Sequence, residues 1–181
     1  MIGNNKQSGF TLIEVLVSVA IFSIAISVIA TVFFNTNNLQ QRTKNLQQVQ
    51  NEGRYILDKL AKEIRAREID ETLSNNQYLF FKEDEFGEVL EFFYDSNSQN
   101  LIISSKIGQQ DALSAPLNSK SIAISDVDFS ILPSTSNPEL SPDDFRQPMV
   151  IIRLVLKNRS GFERYYQELR LQTAISSKFY K

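Results

Sequence analysis

The chain is predicted to fold as an α+β protein, with one long N-terminal helix packed on a largely antiparallel C-terminal β-sheet. Three observations carry that prediction. Val15 to Phe34 contain no charged residue and no proline. Apolar residues then recur between Leu39 and Ile64 at helical spacing. The remainder breaks into short aromatic and β-branched runs separated by clusters of Asn, Asp, Ser and Gly, a pattern of strands and turns.

The first element is the apolar run. At about 1.5 Å per residue, Val15 to Phe34 span roughly 30 Å as a helix, the thickness of a bilayer's hydrocarbon core. Glu14 sits at its edge. A carboxylate at the centre of a membrane helix costs about 2.5 to 3.5 kcal/mol, which makes an intramembrane acid a functional hypothesis by default. Near the helix start the headgroup region is close and the positive end of the helix dipole favours an anion, so position alone leaves an interfacial reading open. Gly9 reads either as a linker residue or as a side-chain-free backbone that enters a peptidase cleft unobstructed.

Asn35-Thr36-Asn37-Asn38 mark the exit from the apolar zone, and without proline or glycine there the helix continues. Leu39, Leu46, Val49, Ile56, Leu57, Leu60 and Ile64 draw a stripe down one face, with Arg54, Lys59, Lys62, Glu63, Arg65 and Arg67 around it. That stripe is expected to pack on a sheet. Ser74-Asn75-Asn76 supply the stop. A helix from Phe10 to about Leu73 would be roughly 95 Å long, far beyond a globular average, which fits one half in a membrane and one half in a domain. Gly53 offers a place for a bend.

Tyr78 to Phe81 and Val89 to Tyr94 flank the acidic turn Glu83-Asp84-Glu85-Phe86-Gly87 as a hairpin. Asp95 to Asn100 turn the chain into Leu101 to Ser104. Ser121 to Leu132 alternate apolar with polar residues, with a break in phase between Ile124 and Val127 of the kind a bulge makes. Met149 to Lys157 and Phe162 to Ile175 form a last hairpin through Asn158-Arg159-Ser160-Gly161. Connections this short make the sheet antiparallel. Gly108 to Lys120 and Pro133 to Pro148 read as loops. The second reads as a surface loop or as a subunit-specific contact, and its Glu139, Asp143 and Asp144 lack an EF-hand spacing, so no metal is assigned. Glu83, Asp84, Glu85 and Glu88 read as a solvated turn.

Composition excludes several classes. The chain has 181 residues and a net charge of -2, leaving no positive excess to attract nucleic acid. It contains no His and no Cys, so the commonest general base, the thiol nucleophile and the usual zinc ligands are missing. No glycine-rich phosphate loop is present, and no carboxylate pair stands out by spacing. No cofactor is expected, and these residues read as no catalyst.

The run Ser8-Gly9-Phe10-Thr11-Leu12-Ile13-Glu14-Val15-Leu16 resembles the N-terminus of the type IV pilin and pseudopilin superfamily. The resemblance implies a cleaved leader (1–9), a membrane-spanning assembly helix (10–34), the amphipathic half of the same helix (35–76) and a β-rich extracytoplasmic domain (77–181), with a pilin-like fold. It implies that a prepilin peptidase cuts between Gly9 and Phe10 on the cytoplasmic face of the inner membrane and methylates the Phe10 amine. Glu14 then pairs with the Phe10 amine of a neighbouring subunit. The implied partners are that peptidase, other pilin or pseudopilin subunits, the inner membrane and the assembly platform of a pilus or secretion filament. Lys6 lies three residues before the cut, where the family often places basic residues closer. Many major pilins close a C-terminal loop with a disulfide, which this chain cannot form.

Arg54 to Arg65 resemble the domain-half helix of the J-type minor pseudopilin of type II secretion and of the related W-type minor pilin, while the presence of Glu14 departs from the tip-most pseudopilin. Ser23, Ser27 and Thr31 lie four apart, and read either as a stripe for close helix packing or as lipid-facing residues bonded to their own backbone. Two competing readings exist. An ordinary signal peptide would be cleaved after Ala30, against which stand the length of the apolar run and its leading carboxylate. A membrane-anchored binding module would use the helix only as an anchor.

Overall fold

A computed structural model describes residues 9–132, 148–159 and 166–177. The chain divides into two compact units, residues 1–41 and 42–181. Helix α1, Leu12–Ala66, contributes to both.

In the first unit α1 runs from Leu12 onward with its apolar side chains exposed, Leu39 included. The second unit holds the core. There α1 buries Val49, Gly53, Ile56, Leu60 and Ile64, one residue per helical turn along a single stripe. Leu46 and Leu57, also expected on that stripe, flank it half-buried.

The helix ends at Ala66 and not near Leu73. The next positions of the stripe are Arg67 and Glu68, which give the helix nothing apolar to bury. The backbone instead turns to meet the first strand. Glu68 O accepts the Lys82 N–H at 2.8 Å, Phe80 O accepts the Asp70 N–H at 2.9 Å, and Ile69 bridges to Phe81. Asp70 caps the following turn by accepting the Thr72 N–H at 2.9 Å.

Among the described residues seven strands follow: β1 Tyr78–Phe80, β2 Glu88–Asp95, β3 Asn100–Ile107, β4 Leu113–Pro116, β5 Ile122–Leu132, β6 Met149–Asn158 and β7 Glu168–Ser176. Every pairing is antiparallel, as the short connections require. The strands form two sheets instead of one, ordered β1-β2-β3-β4 and β5-β6-β7. Strand β4 lies inside the segment expected to be a loop. All four of its residues are exposed and it ends in proline, so it shows no alternation in the sequence, and its place at the sheet edge tolerates the proline. The register shift between Ile124 and Asp126 stands where the phase break predicts a bulge. Strand β7 starts at Glu168, after Tyr166 and Gln167, which the expected strand included, while Phe162 lies outside the described residues. Asn158 closes that hairpin by exchanging hydrogen bonds with Gln167 at 2.7 and 3.1 Å.

The two sheets are tied at one corner. Buried Asn118 accepts the Leu101 N–H at 3.0 Å and donates to Ile122 O at 2.8 Å and Asn100 Oδ1 at 2.9 Å. Gln99 holds a left-handed backbone with φ 56°, and its carbonyl accepts the Ile124 N–H at 2.9 Å. Tyr94 donates its hydroxyl to Ile124 O at 3.0 Å beside the bulge. The core between helix and sheets contains Phe81 and Phe92 edge to face at 6.0 Å, with Phe129, Ile152 and Leu154.

Gly53 is a point of close packing. Helix α1 continues through it, and a Cβ built there would collide with Leu171 Cδ1 and stand 3.2 Å from Leu156 Cδ1. The missing side chain lets α1 approach β6 and β7 closely.

Candidate functional site

Gly9 and Phe10 precede the helix in open space. Nothing lies within 4 Å of a Cβ built on Gly9, and Phe10 is 86% exposed. Thr11 is the N-cap of α1 and Glu14 occupies the third helical position. The Thr11 N–H and hydroxyl both donate to Glu14 Oε2, at 2.9 and 3.0 Å, and the Glu14 N–H donates to Thr11 Oγ1 at 3.3 Å. This reciprocal pair is a capping box, which satisfies two otherwise orphaned helix N–H groups and places an anion at the positive end of the helix dipole. Reading Glu14 as a lone carboxylate missed it, although Thr-x-x-Glu before an apolar run is a sequence signature of this cap. The arrangement holds a carboxylate at the head of an apolar helix, immediately beside the Gly9–Phe10 peptide bond.

The helix surface behind that cap is apolar and bare. Every large apolar side chain from Phe10 to Phe34 is at least 50% exposed. By length and composition α1 is able to cross a membrane. Exposed to water, such a surface forfeits about 25 cal/mol for each Å² that lipid or neighbouring helices would cover.

The hydroxyls of Ser18, Ser23, Ser27 and Thr31 donate to the carbonyls of Glu14, Val19, Ser23 and Ser27 at 2.7 to 2.9 Å. Their polarity is thus absorbed by the helix itself. Ser23, Ser27 and Thr31, with Ile24, Val28 and Val32, line a shallow groove.

In the second unit the acidic turn is organised by Arg67 and is not simply solvated. The Arg67 guanidinium meets Glu63 Oε2 at 3.4 Å, Asp84 Oδ2 at 3.2 Å and Glu88 Oε2. Asp84 Oδ1 accepts the Phe86 and Glu88 N–H groups at 2.9 Å each. Hydrogen bonds from Glu88 N–H and Phe86 N–H, with Arg67 beside it, hold the Asp84 carboxyl below its ordinary range. The Ser105 hydroxyl first, and Arg67 second, do the same to Glu88. Lys82 pairs with Glu68 beside this cluster.

Lys6 and Ser8, the loop 133–147 with Glu139, Asp143 and Asp144, and the turn residues Ser160 and Gly161 lie outside the described residues.

The family model described as the prokaryotic N-terminal methylation motif matches residues 4–30. No curated protein and no solved structure matches the chain. The matched segment contains the Gly9–Phe10 bond, the Thr11–Glu14 cap and most of the exposed apolar run. The match is to this N-terminal motif alone, and the helix that carries it is long and apolar enough to cross a membrane.

Proposed function

We propose that this chain is a minor pilin or minor pseudopilin, a structural subunit of a type IV pilus or a type II secretion-like filament. The observation that carries the reading is the methylation motif over residues 4–30 joined to a helix whose apolar surface is left uncovered. Resemblance of Arg54 to Arg65 to the J-type pseudopilin and W-type minor pilin supports the minor assignment.

Before assembly the helix lies in the inner membrane, with the leader cytoplasmic and the β-rich domain outside. The peptidase hydrolyses the Gly9–Phe10 bond, and exposure of both residues suits entry into a cleft. The new Phe10 amine, once methylated, is a cation directly before the Thr11 cap. In a fibre the apolar helices replace lipid with one another, and the Phe10 amine of one subunit compensates the Glu14 carboxylate of the next in a low-dielectric setting. An unpaired charge there would be costly, so the pairing fixes register. Close approach along Ser23, Ser27 and Thr31 is aided because their hydroxyls already have backbone partners.

The test is Glu14→Ala in a host with the assembly machinery. Membrane insertion and leader cleavage should persist while incorporation into sheared filaments falls. Unchanged incorporation would remove the pairing mechanism.

A further inference from the structure

We infer that one end of the four-stranded sheet is a docking surface for another polypeptide of the filament, one that presents an apolar pocket edged with lysine or arginine. The inference rests on the reading of the chain as a filament subunit. The sheet register brings two turns to that end. Glu88 lies opposite Ile107, Ser105 lies opposite Leu113, and the Gly108 N–H donates to Gly87 O at 3.2 Å. The β1–β2 turn and the β3–β4 turn therefore meet, carrying Phe86, Ile107 and Leu113, which are 84%, 48% and 78% exposed. Ile107 and Leu113 stand on the same side of the sheet as diagonal neighbours. A lone exposed apolar residue needs no explanation, but a grouped set within a polar rim marks an interaction site.

The rim is acidic. Glu83, Glu85 and Asp111 surround the two turns, and among the described residues none of the three is paired with a cation. The neighbouring carboxylates Asp84 and Glu88 are instead engaged by Arg67. Uncompensated carboxylates repel phosphate, which disfavours nucleic acid and anionic lipid, and they complement a basic rim on a protein.

Phe86 is also held in place before any partner arrives. Asp84 accepts the N–H groups of Phe86, Gly87 and Glu88 through its side chain and carbonyl at 2.9 to 3.0 Å. Gly87 supplies the left-handed φ of 75°, and Arg67 pins the turn to the end of α1. A pre-ordered aromatic at a turn tip loses little entropy on docking, as binding hot spots require.

The test uses full-length protein in a host with peptidase and filament machinery. One variant combines Phe86→Ser and Leu113→Ser. A second combines Glu83→Lys, Glu85→Lys and Asp111→Lys. Leu73→Ser, at an exposed apolar residue elsewhere, is the control. Mature N-terminus, thermal midpoint and the sheared-filament fraction are measured for each. Both patch variants should keep processing and midpoint while incorporation falls at least about ten-fold, with the control unchanged. Wild-type incorporation in both patch variants would overturn the inference alone, and a lowered midpoint would overturn it by making the patch part of the fold. A wild-type chain that is cleaved but never enters filaments would overturn the filament reading and this inference with it.

Discussion

Leu171 Cδ1 fills the space that a Cβ on Gly53 would need, so helix α1 meets the three-stranded sheet here through an absent side chain. Two effects oppose one another at this position. Alanine gains about 1 kcal/mol over glycine inside a helix, whereas overpacking a core costs about 1 to 3 kcal/mol. Leu156, buried and 3.2 Å from the built Cβ, leaves little room to relax. Gly53→Ala is therefore predicted to lower stability. In a Leu171→Ala background the same change should cost less, because the nearest collision is gone while the Leu156 contact at 3.2 Å remains. A denaturant-unfolding double-mutant cycle checks this, and additive effects would refute the contact.

The Thr11–Glu14 cap makes a prediction at the head of the helix. Thr11→Ala should cost about 0.5 to 2 kcal/mol locally and speed amide exchange at Ile13 and Glu14 in detergent micelles, while Thr11→Ser should not. Equal exchange in all three chains would mean that the cap does not hold this end.

Acid should loosen the attachment of the β1–β2 turn. Asp84 and Glu88 have folded values below their unfolded ones. Their stabilisation is complete above the ordinary carboxylate range of about 4 and is lost as pH falls through the lowered folded values. The unfolding midpoint should thus be flat from about pH 7 to 5 and drop below about 4. Arg67→Ala should lower the plateau and make the drop shallower. It should not abolish the drop, because Ser105 and the turn's own N–H groups still favour the charged carboxylates. A midpoint that rises on acidification would contradict the assignment.

Gly9 is open on all sides, so a bulky residue there should leave the folded domain untouched and act only on processing. Gly9→Leu is predicted to retain the leader, read as an unshifted intact mass beside an unchanged thermal midpoint. Normal trimming of this variant would argue against a peptidase that needs a small residue before the cut.

Much of the fold was legible because it is written in local periodicity. The stripe from Val49 to Ile64, the hairpin across the acidic turn and the bulge after Ile124 all follow from spacing alone. Strand β4 was not legible, since an exposed four-residue edge strand has no buried face to alternate against. The junction between the two sheets rests on Asn118, Gln99 and Tyr94 meeting residues far along the chain, which no window of sequence reveals. The stop at Ala66 was readable in the charged Arg67 and Glu68 but was outvoted by the turn formers at Ser74 to Asn76. At the candidate site, the methylation motif spans the Gly9–Phe10 bond and Glu14, while the Thr11 cap was present as a pattern and overlooked. Gly53 shows the converse case, a residue noticed for flexibility whose role is contact.

Processing into a filament subunit is decided by intact mass and N-terminal sequencing of the protein from membranes of a peptidase-bearing host. The mature chain is expected to begin with N-methylated Phe10 and to retain the whole apolar helix. A chain beginning at Thr31 would contradict it, because the apolar segment would then be a discarded signal and no assembly helix would remain.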